Sequence, residues 1–382
     1  MPSILPFFII LTAGLVFSEI FKRLHLPYVT ALIIGGLLIG PYALNLIQLD
    51  DTINFLGSIG IVFLMFIAGS EIKLESFKEL GDEVVILALL NGIIPFLIGF
   101  AIGYLYNYSI FTSLILGTVF VSSSVAVVIP SLESSKLINT KIGSVILSST
   151  VFEDILSLIL LAIVLQSFTQ KTPIPLTLYI PLIVLIIIGL KLIIPKLEKW
   201  YRFQTRGKDM FESKLRFVFV VLLATVALFE FIGMHAIVAG FIIGIILGDS
   251  IEGKVEDKIR TISYGLFIPT FFLIIGMRTD LSVFTSMAHT NLVITVILGL
   301  ILSKVFSGFM AGNITKFSTR ESLLIGFSTI PQLSTTLAVS FTALEIGILN
   351  EEVVTSLVIL SIVTTFVAPF AIKRLSKKTK EY

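Results

Sequence analysis

Two adjacent carboxylates, Glu153 and Asp154, lie in the middle of an otherwise apolar stretch from Ile142 to Phe168. A single basic residue, Lys304, lies similarly deep in a second apolar stretch, Asn291 to Asn313. Stretches of this length and composition are typical of membrane-spanning helices. A charged group in such a place costs at least about 2.5 kcal/mol on insertion scales, so it is kept where it faces a cavity, an opposite charge or a proton. The acidic pair therefore predicts a protein that moves ions or protons.

Adjacent residues on a helix point about 100° apart, so Glu153 and Asp154 cannot face the same spot. We expect one to line a cavity and the other to face an adjacent helix. Lys304 is the expected partner, because a buried lysine and a buried carboxylate stabilise each other's charge. Breaking such a pair leaves an uncompensated charge, so pairing and ion binding can compete. The structural alternatives are an acidic pair satisfied by buried hydrogen bonds and a Lys304 that extends toward the interface.

Two other apolar stretches carry polar residues and a proline near their middle, a pattern that predicts interrupted helices with free carbonyls able to coordinate cations. The first runs from Ser122 to Pro130 and the second from Ile325 to Phe341. In single spans such hydroxyls more often join helices to one another, but their matching positions favour a functional interpretation. The candidate ligands or helix-crossing residues are Ser122, Ser123, Ser124, Thr150 (one turn before Asp154), Gln332, Ser334, Thr335 and Thr336.

The composition is that of a polytopic, all-α membrane protein. Of 382 residues 56% are hydrophobic and only 14% charged, where soluble domains carry about 25% charged residues. The absence of cysteine excludes disulfides and thiolate sites, and no phosphate-binding GxxxxGK[ST] loop is present, which argues against ATP drive. Hydropathy predicts about thirteen spans, at 3–21, 27–44, 53–70, 84–106, 110–132, 142–168, 174–195, 215–231, 235–248, 260–277, 289–311, 321–345 and 352–372.

The distribution of lysine and arginine supports this order of spans. With the N-terminus outside, nearly all of the 27 Lys and Arg residues fall on the inner side, as expected for cytoplasmic loops. Only Lys171 and Arg278 fall in predicted outer loops, and Lys191 and Lys304 fall within spans, Lys191 within a turn of the inner end of its span. We therefore expect a multi-pass protein of the cell membrane with its C-terminus in the cytoplasm.

Thirteen spans divide into two six-span repeats of opposite orientation around a connecting helix. The first repeat is 1–168, the connecting helix 174–195 and the second, inverted repeat 215–372, all within a single membrane domain, 1–382. The two proline-containing polar stretches then occupy matching places in the two halves. Inverted repeats with a site near the midplane are the common plan of secondary transporters.

Three segments in order along the chain resemble the monovalent cation:proton antiporter-2 family, which includes the NapA- and NhaA-like sodium/proton antiporters. They are LHLPYVTALIIGGLLIGPYAL (Leu24 to Leu44), FLMFIAGSEIKLESFKELG (Phe63 to Gly81) and FIPTFFLIIGMRTDL (Phe267 to Leu281). The resemblance covers nearly the whole length. It implies an NhaA-type fold with two crossing discontinuous helices, in which core helices within 84–168 and 289–372 move against dimer or scaffold helices within 1–70 and 215–277.

The resemblance also implies roles for individual residues. Asp154 matches the ion-binding aspartate, which would hold Na⁺, and Lys304 matches the lysine that pairs with the preceding acid. Glu153 stands where electrogenic members have Asp and many electroneutral members have Asn. A Glu–Lys pair keeps the charge arrangement of the electrogenic class. The polar stretch after Pro331 lacks the Arg-Gly-Glu pattern of several branches.

These observations predict a secondary active antiporter, not an enzyme, that exchanges Na⁺ or Li⁺ for H⁺ by alternating access with competition at Asp154. A K⁺/H⁺ antiporter is the first alternative, since the ligand chemistry is the same. An ion channel and an intramembrane aspartyl protease are remote alternatives. We expect no cofactor beyond the transported Na⁺ or K⁺ and H⁺. The expected partners are the lipid bilayer and a second copy in a homodimer, and not nucleic acid.

Overall fold

The computed structural model of the chain describes residues 4–23, 27–72, 81–169, 176–204, 212–248, 251 and 253–376. Regular structure within these ranges is entirely helical, without a strand. Lys171, expected in an outer loop, lies outside the described residues, as do 24–26 and 73–80 of the first two resembling segments. The α-helices are α1 (Ile4–Arg23), α2 (Tyr28–Ile39), α3 (Asp51–Ser70), α4 (Asp82–Leu105), α5 (Ile110–Val121), α6 (Val125–Ser134), α7 (Lys141–Thr169), α8 (Leu176–Gln204), α9 (Ser213–Phe231), α10 (Ala236–Gly248), α11 (Gly253–Ile262), α12 (Ile268–Met277), α13 (Met287–Ile314), α14 (Thr319–Ser328), α15 (Ser334–Glu345) and α16 (Glu351–Ser376). A π-helical turn, Ser263–Phe267, joins α11 to α12, and a 3-10 turn, Leu281–Thr285, precedes α13.

Eight helical segments in the described part of the chain are long and apolar enough to cross a membrane. Helices α2 and α10 are apolar but shorter. A chain with this many apolar helices is a multi-pass membrane protein, and the count of thirteen spans stays a prediction. The eight segments are α1, α3, α4, α5 with α6, α7, α11 with α12, α13 and α16.

Two helix ends differ from the predicted ends of the spans. Helix α8 continues to Gln204, beyond residue 195 where the predicted span ends, and the place of Lys191 near the inner end of that span stays a prediction. Hydropathy ends a span where charges begin, whereas good helix formers such as Leu, Lys and Glu continue the helix beyond that point. Helix α2 ends at Ile39, where Gly40 takes an extended conformation, because the residue before Pro41 is disfavoured in the α region.

The described residues fall into two compact units. One contains those within 50–74 and 165–272, and the other contains those within 3–49, 75–164 and 273–376. In the second unit, α2 packs directly against the part of α12 that begins at Leu273. A Cβ atom on Gly276 would overlap the backbone carbonyl of Ile33, so a side chain at this position would separate the two helices. A small residue at such a contact lets two membrane helices approach closely.

Helices α5 and α6 are separated by Ser122–Ser124, and α14 and α15 by residues 329–333. Both interruptions lie in the second unit, as do α4, α13, α16 and the part of α7 that ends at Val164. A buried cluster that includes Leu87, Val128, Ile146, Ala311 and Leu324 packs α4, α6, α7, α13 and α14 together. This packing fixes the helices on which the candidate site residues lie.

Candidate functional site

Glu153 of α7 and Lys304 of α13 form a fully buried ion pair. The distance from Lys304 Nζ to Glu153 Oε2 is 2.8 Å, and neither side chain has any exposed surface. A charge-assisted hydrogen bond of this length is among the strong ones in proteins. The residue that we expected to neutralise the acidic pair therefore contacts Glu153 and leaves Asp154 on another side of α7.

Three further oxygen atoms surround the Lys304 ammonium group. Lys304 Nζ donates to the Val121 carbonyl at 2.7 Å, to Ser123 Oγ at 3.1 Å and to the Asn91 carbonyl at 3.5 Å. The Val121 carbonyl is free because Val121 is the last residue of α5, where helical carbonyls have no intrahelical partner. The interruption of α5 thus supplies an acceptor to the buried cation.

The Glu153 carboxylate accepts hydrogen bonds from three donors. Ser123 Oγ donates to Oε2 at 2.6 Å, and Asn91 Nδ2 donates to Oε1 at 3.1 Å, in addition to the Lys304 ammonium. These three donors satisfy both oxygen atoms of the Glu153 carboxyl group. In this arrangement Glu153 is thus satisfied by the protein alone and is a member of an ion pair.

Asp154 has different surroundings. It is 7% exposed, and its Oδ1 atom is buried with no hydrogen-bond partner among the described residues. The Thr335 side chain and the backbone of Ser123 lie beside the carboxyl group. The Ser124 Oγ atom is likewise buried without a partner in the described part of the chain. An unpaired buried carboxylate oxygen is costly, and it is the kind of atom that binds a proton or a hard cation.

The two interruptions cross and bind each other. The Ser124 N–H donates to the Pro331 carbonyl at 2.7 Å, and Gln332 Nε2 donates to the Ser122 carbonyl at 2.5 Å. The Ser122 hydroxyl lies 3.1 Å from Gln332 Oε1 and 3.0 Å from Thr336 Oγ1, and Thr336 Oγ1 also donates to Gln332 Oε1. These contacts between the unwound segments satisfy the Ser124 N–H and the carbonyls of Ser122 and Pro331, which hydrocarbon could not do.

The remaining candidate residues differ in their contacts. Thr150 Oγ1 donates at 2.8 Å to the Ile146 carbonyl of its own helix, so its hydroxyl proton is not directed at the site. Ser334 is the first residue of α15 and is half-buried. Ser123 joins the crossing to the ion pair, because its hydroxyl also lies 2.7 Å from the Thr329 carbonyl.

Asn91 was not identified from the sequence, although it contacts both members of the ion pair. Its side chain has no exposed surface, and its Oδ1 accepts from Ser307 Oγ on α13. Thr364 of α16 was also missed, and its Oγ1 accepts at 3.1 Å from the Gln332 N–H. The available signal was an amide side chain in the apolar run of α4, which is an expensive position unless the amide is bonded.

An all-helical, multi-pass membrane protein with a buried ion pair, an open carboxylate and two crossing interrupted helices has the design of an ion-coupled secondary transporter. The chain belongs to the sodium/hydrogen exchanger family, since the model of that transmembrane family matches residues 7–378. Members of this family are transporters, not enzymes.

Individual relatives agree with this membership. The chain is 30% identical to the probable Na⁺/H⁺ antiporter 3 of Methanocaldococcus jannaschii over 97% of this chain and 95% of that protein. It is 27% identical to the Na⁺/H⁺-K⁺ antiporter GerN of Bacillus cereus over 93% of this chain and 92% of that protein.

A solved structure agrees with the fold. The sodium proton antiporter MjNhaP1 of Methanocaldococcus jannaschii superposes with a TM-score of 0.72 at 19% identity, covering 97% of this chain and 96% of that one. This likeness establishes the helical fold and not the site. The finer expectation of an NhaA-type arrangement stays a prediction.

Proposed function

We propose that this chain is a secondary active antiporter that exchanges Na⁺ or Li⁺ for H⁺ by alternating access. The observation that carries the proposal is the open Oδ1 atom of Asp154, buried where two interrupted helices cross. Cation and proton would compete for this one carboxylate, so each could leave only as the other arrives. That competition couples the two fluxes without a separate energy source.

The surroundings of Asp154 support its role as the cation ligand. Ser124 Oγ, buried and without a described partner, and the Thr335 side chain offer further oxygen atoms close to the crossing. Sodium and lithium are hard cations, and carboxylate, hydroxyl and carbonyl oxygens are the ligands that hard cations prefer. Ser122 and Gln332 hold the crossing together in this proposal rather than binding the ion, because their polar atoms bond each other.

The Glu153–Lys304 pair would act as the second proton-sensitive element. Its members pair in one state and part in another, so that the state of the pair biases which ligand Asp154 takes. A Glu–Lys pair retains a full positive and a full negative charge beside the ion site, which favours the electrogenic class of exchange.

The finer architecture belongs to the same proposal. We infer thirteen spans arranged as two inverted repeats in an NhaA-type plan, with the interrupted helices in corresponding places of the two halves. The bias of Lys and Arg toward one side supports an outer N-terminus and a cytoplasmic C-terminus in the plasma membrane. A homodimer, with scaffold helices within 1–70 and 215–277 at its interface, is proposed from family resemblance.

Exchange of K⁺ for H⁺ is the second candidate. It is favoured by the similarity to a relative whose name includes both Na⁺ and K⁺, and by the fact that the oxygen ligands described above suit either ion. Ion preference therefore has to be measured.

Acridine-dye dequenching in everted vesicles tests the proposal. Na⁺, Li⁺ and K⁺ are added separately to vesicles that contain the wild type, Asp154→Asn or Asp257→Asn, an exposed position on α11 that serves as the matched control. We expect Na⁺ and Li⁺ to restore fluorescence in the wild type and in Asp257→Asn, and to have no effect in Asp154→Asn. Amide replacement keeps the shape of the side chain but removes its charge.

Other outcomes have distinct meanings. A response of the wild type to K⁺ alone would assign the protein to K⁺/H⁺ exchange. Ion conduction that survives in Asp154→Asn would point to a channel. If none of the three cations restores fluorescence at any pH from mildly acidic to mildly alkaline, the antiporter proposal is overturned.

A further inference from the structure

Asn91 of α4 contacts the buried ion pair through two of its atoms and the helix of Lys304 through a third. Its amide nitrogen donates to Glu153 Oε1 at 3.1 Å, its amide oxygen accepts from Ser307, and its backbone carbonyl accepts from Lys304 Nζ at 3.5 Å. Ser307 lies one turn after Lys304 on α13, and its hydroxyl also lies 3.1 Å from the Lys304 carbonyl. One residue of α4 therefore holds α7 and α13 in a fixed relation at the level of the pair.

Pro95 explains why the Asn91 carbonyl is available. Within an α-helix the carbonyl of residue 91 would accept from the N–H of residue 95, but a proline has no N–H to donate. Pro95 lies inside α4 and is buried there. In a membrane, a carbonyl released in this way has to be satisfied by a neighbouring helix. Here the donor is the ammonium group of Lys304.

We propose that Asn91 and Pro95 form a positioning element that orients Lys304 and Glu153 toward each other, and so sets the rate at which the adjacent Asp154 exchanges its ligands. The inference rests on the proposed function for its transport readout. No hydrogen bond of the described residues joins Asn91 or Pro95 to Asp154. Asn91 and Pro95 act through the pair and not as ligands of the transported ion.

Packing alone would not require an asparagine at position 91. A leucine would fill a similar volume in α4 at a lower desolvation cost, yet it would offer no donor to Glu153 and no acceptor to Ser307. Buried polar groups in hydrocarbon are kept when each is hydrogen-bonded, and here all three polar contacts of Asn91 lead to the pair or to its helix. The pattern Asn-x-x-x-Pro supplies one directed donor and one released acceptor.

Replacement of Asn91 gives the first test. Asn91→Leu removes the donor to Glu153, and we expect Na⁺-driven exchange to fall about tenfold or more, from the usual size of a hydrogen bond to a charged group. Asn91→Asp keeps the shape but places an ionisable oxygen against Glu153, so its activity should fall with rising pH more steeply than that of the wild type. The matched control is Asn313→Leu, at an exposed position on α13.

Replacement of Pro95 gives the second test. Pro95→Ala restores an N–H that binds the Asn91 carbonyl and withdraws it from Lys304. Because that contact is the longest of the four around the ammonium, we expect a loss of only about threefold in exchange rate, with unchanged or increased thermal stability. Pro181→Ala in α8 makes the same change in a helix distant in sequence from the pair, and should leave the rate unchanged.

The results can overturn the proposal independently of the transport function. The proposal is refuted if Asn91→Asp and Pro95→Ala have the exchange rates and pH profiles of the wild type. It is also refuted if Asn91→Leu and Asn91→Asp lose exchange rate equally, without a dependence on pH, and are less stable to heat. If the wild type shows no exchange at all, the proposed function fails. The positioning role is then decided by unfolding temperatures, where the shifts for Asn91→Leu and Glu153→Gln should be strongly non-additive. Additive shifts would refute it.

Discussion

Replacing Lys304 by methionine should destabilise the protein more than any change at an exposed ion pair. The substitution keeps most of the side-chain volume and removes the ammonium group 2.8 Å from Glu153. Removing one partner from a buried pair generally costs about 3–5 kcal/mol, because the other charge is left uncompensated. Glu153 would retain the donors Ser123 and Asn91, at 2.6 and 3.1 Å, so we expect about 3 kcal/mol, at the lower end of that range.

The reciprocal change should cost less. In Glu153→Gln, Lys304 keeps the Val121 carbonyl at 2.7 Å, Ser123 Oγ at 3.1 Å and the Asn91 carbonyl at 3.5 Å, and the new amide oxygen can still accept. The double variant, Glu153→Gln with Lys304→Met, carries no buried charge at either position. We therefore expect the double variant to be more stable than Lys304→Met alone, with a coupling of about 1–3 kcal/mol.

The free energy of unfolding can be measured by titrating SDS into mixed micelles and following near-ultraviolet circular dichroism, which reports tertiary packing. The matched control is Arg23→Met, which breaks a pair with Glu19 that is 3.6 Å long and largely exposed. Exposed pairs contribute at most about 1 kcal/mol. Additivity of the two single changes within about 0.5 kcal/mol would refute the reasoning, as would a control as costly as Lys304→Met.

Four further predictions concern single residues within and outside the candidate site. Ser124→Ala removes a hydroxyl that is buried without a described partner, so the apparent KM for Na⁺ should rise severalfold. Thr150→Val should leave KM unchanged, because that hydroxyl already bonds its own helix. Gly276→Leu should abolish folding or lower the yield of monodisperse protein, because a side chain there overlaps the Ile33 carbonyl. Burial and a hydrogen bond to a neighbouring carboxylate raise the pKa of Tyr42, in the loop after α2, to about 12. Since the unfolded phenol titrates near pH 10, stability should fall as pH rises from about 10 to 12, and Tyr42→Phe should reduce that fall.

The controls for these predictions are simple. Gly265→Leu changes a glycine with open space around its Cβ position, so it should be tolerated where Gly276→Leu is not. Equal KM values for Ser124→Ala and the wild type would remove Ser124 from the ion site. A Tyr42→Phe variant with an unchanged pH dependence of stability would show that another group governs that range.

The charged part of the candidate site could be predicted from the sequence because a charged side chain in hydrocarbon can be stabilised in only a few ways. Two carboxylates and one lysine in otherwise apolar stretches require partners, and helical geometry separates the directions of Glu153 and Asp154. The interruptions were also predictable, since serine runs and prolines in apolar segments weaken a helix. The structure then places Lys304 on Glu153, and leaves an oxygen of Asp154 open among the described residues.

Neutral partners could not be identified in the same way. Asn91 is one amide in a long apolar helix, and its importance depends on which atoms of α7 and α13 lie opposite it. That information comes from tertiary packing, which hydropathy does not encode. Helix α8 likewise extends beyond the span predicted at 174–195. The boundary of a hydrophobic stretch marks a change of solvent, whereas the end of a helix depends on local backbone preferences.

The mutual bonding of the two interruptions has a consequence for ion selectivity. Ser122, Gln332 and Thr336 bond one another, and the Ser124 N–H is held by the Pro331 carbonyl. Among the described residues, few unengaged oxygens are then left near Asp154 to replace the water around an arriving cation. Such an ion would keep part of its hydration shell in the site. Discrimination between cations would then follow the energetic cost of partial dehydration more closely than the fit of a bare ion to a rigid cage.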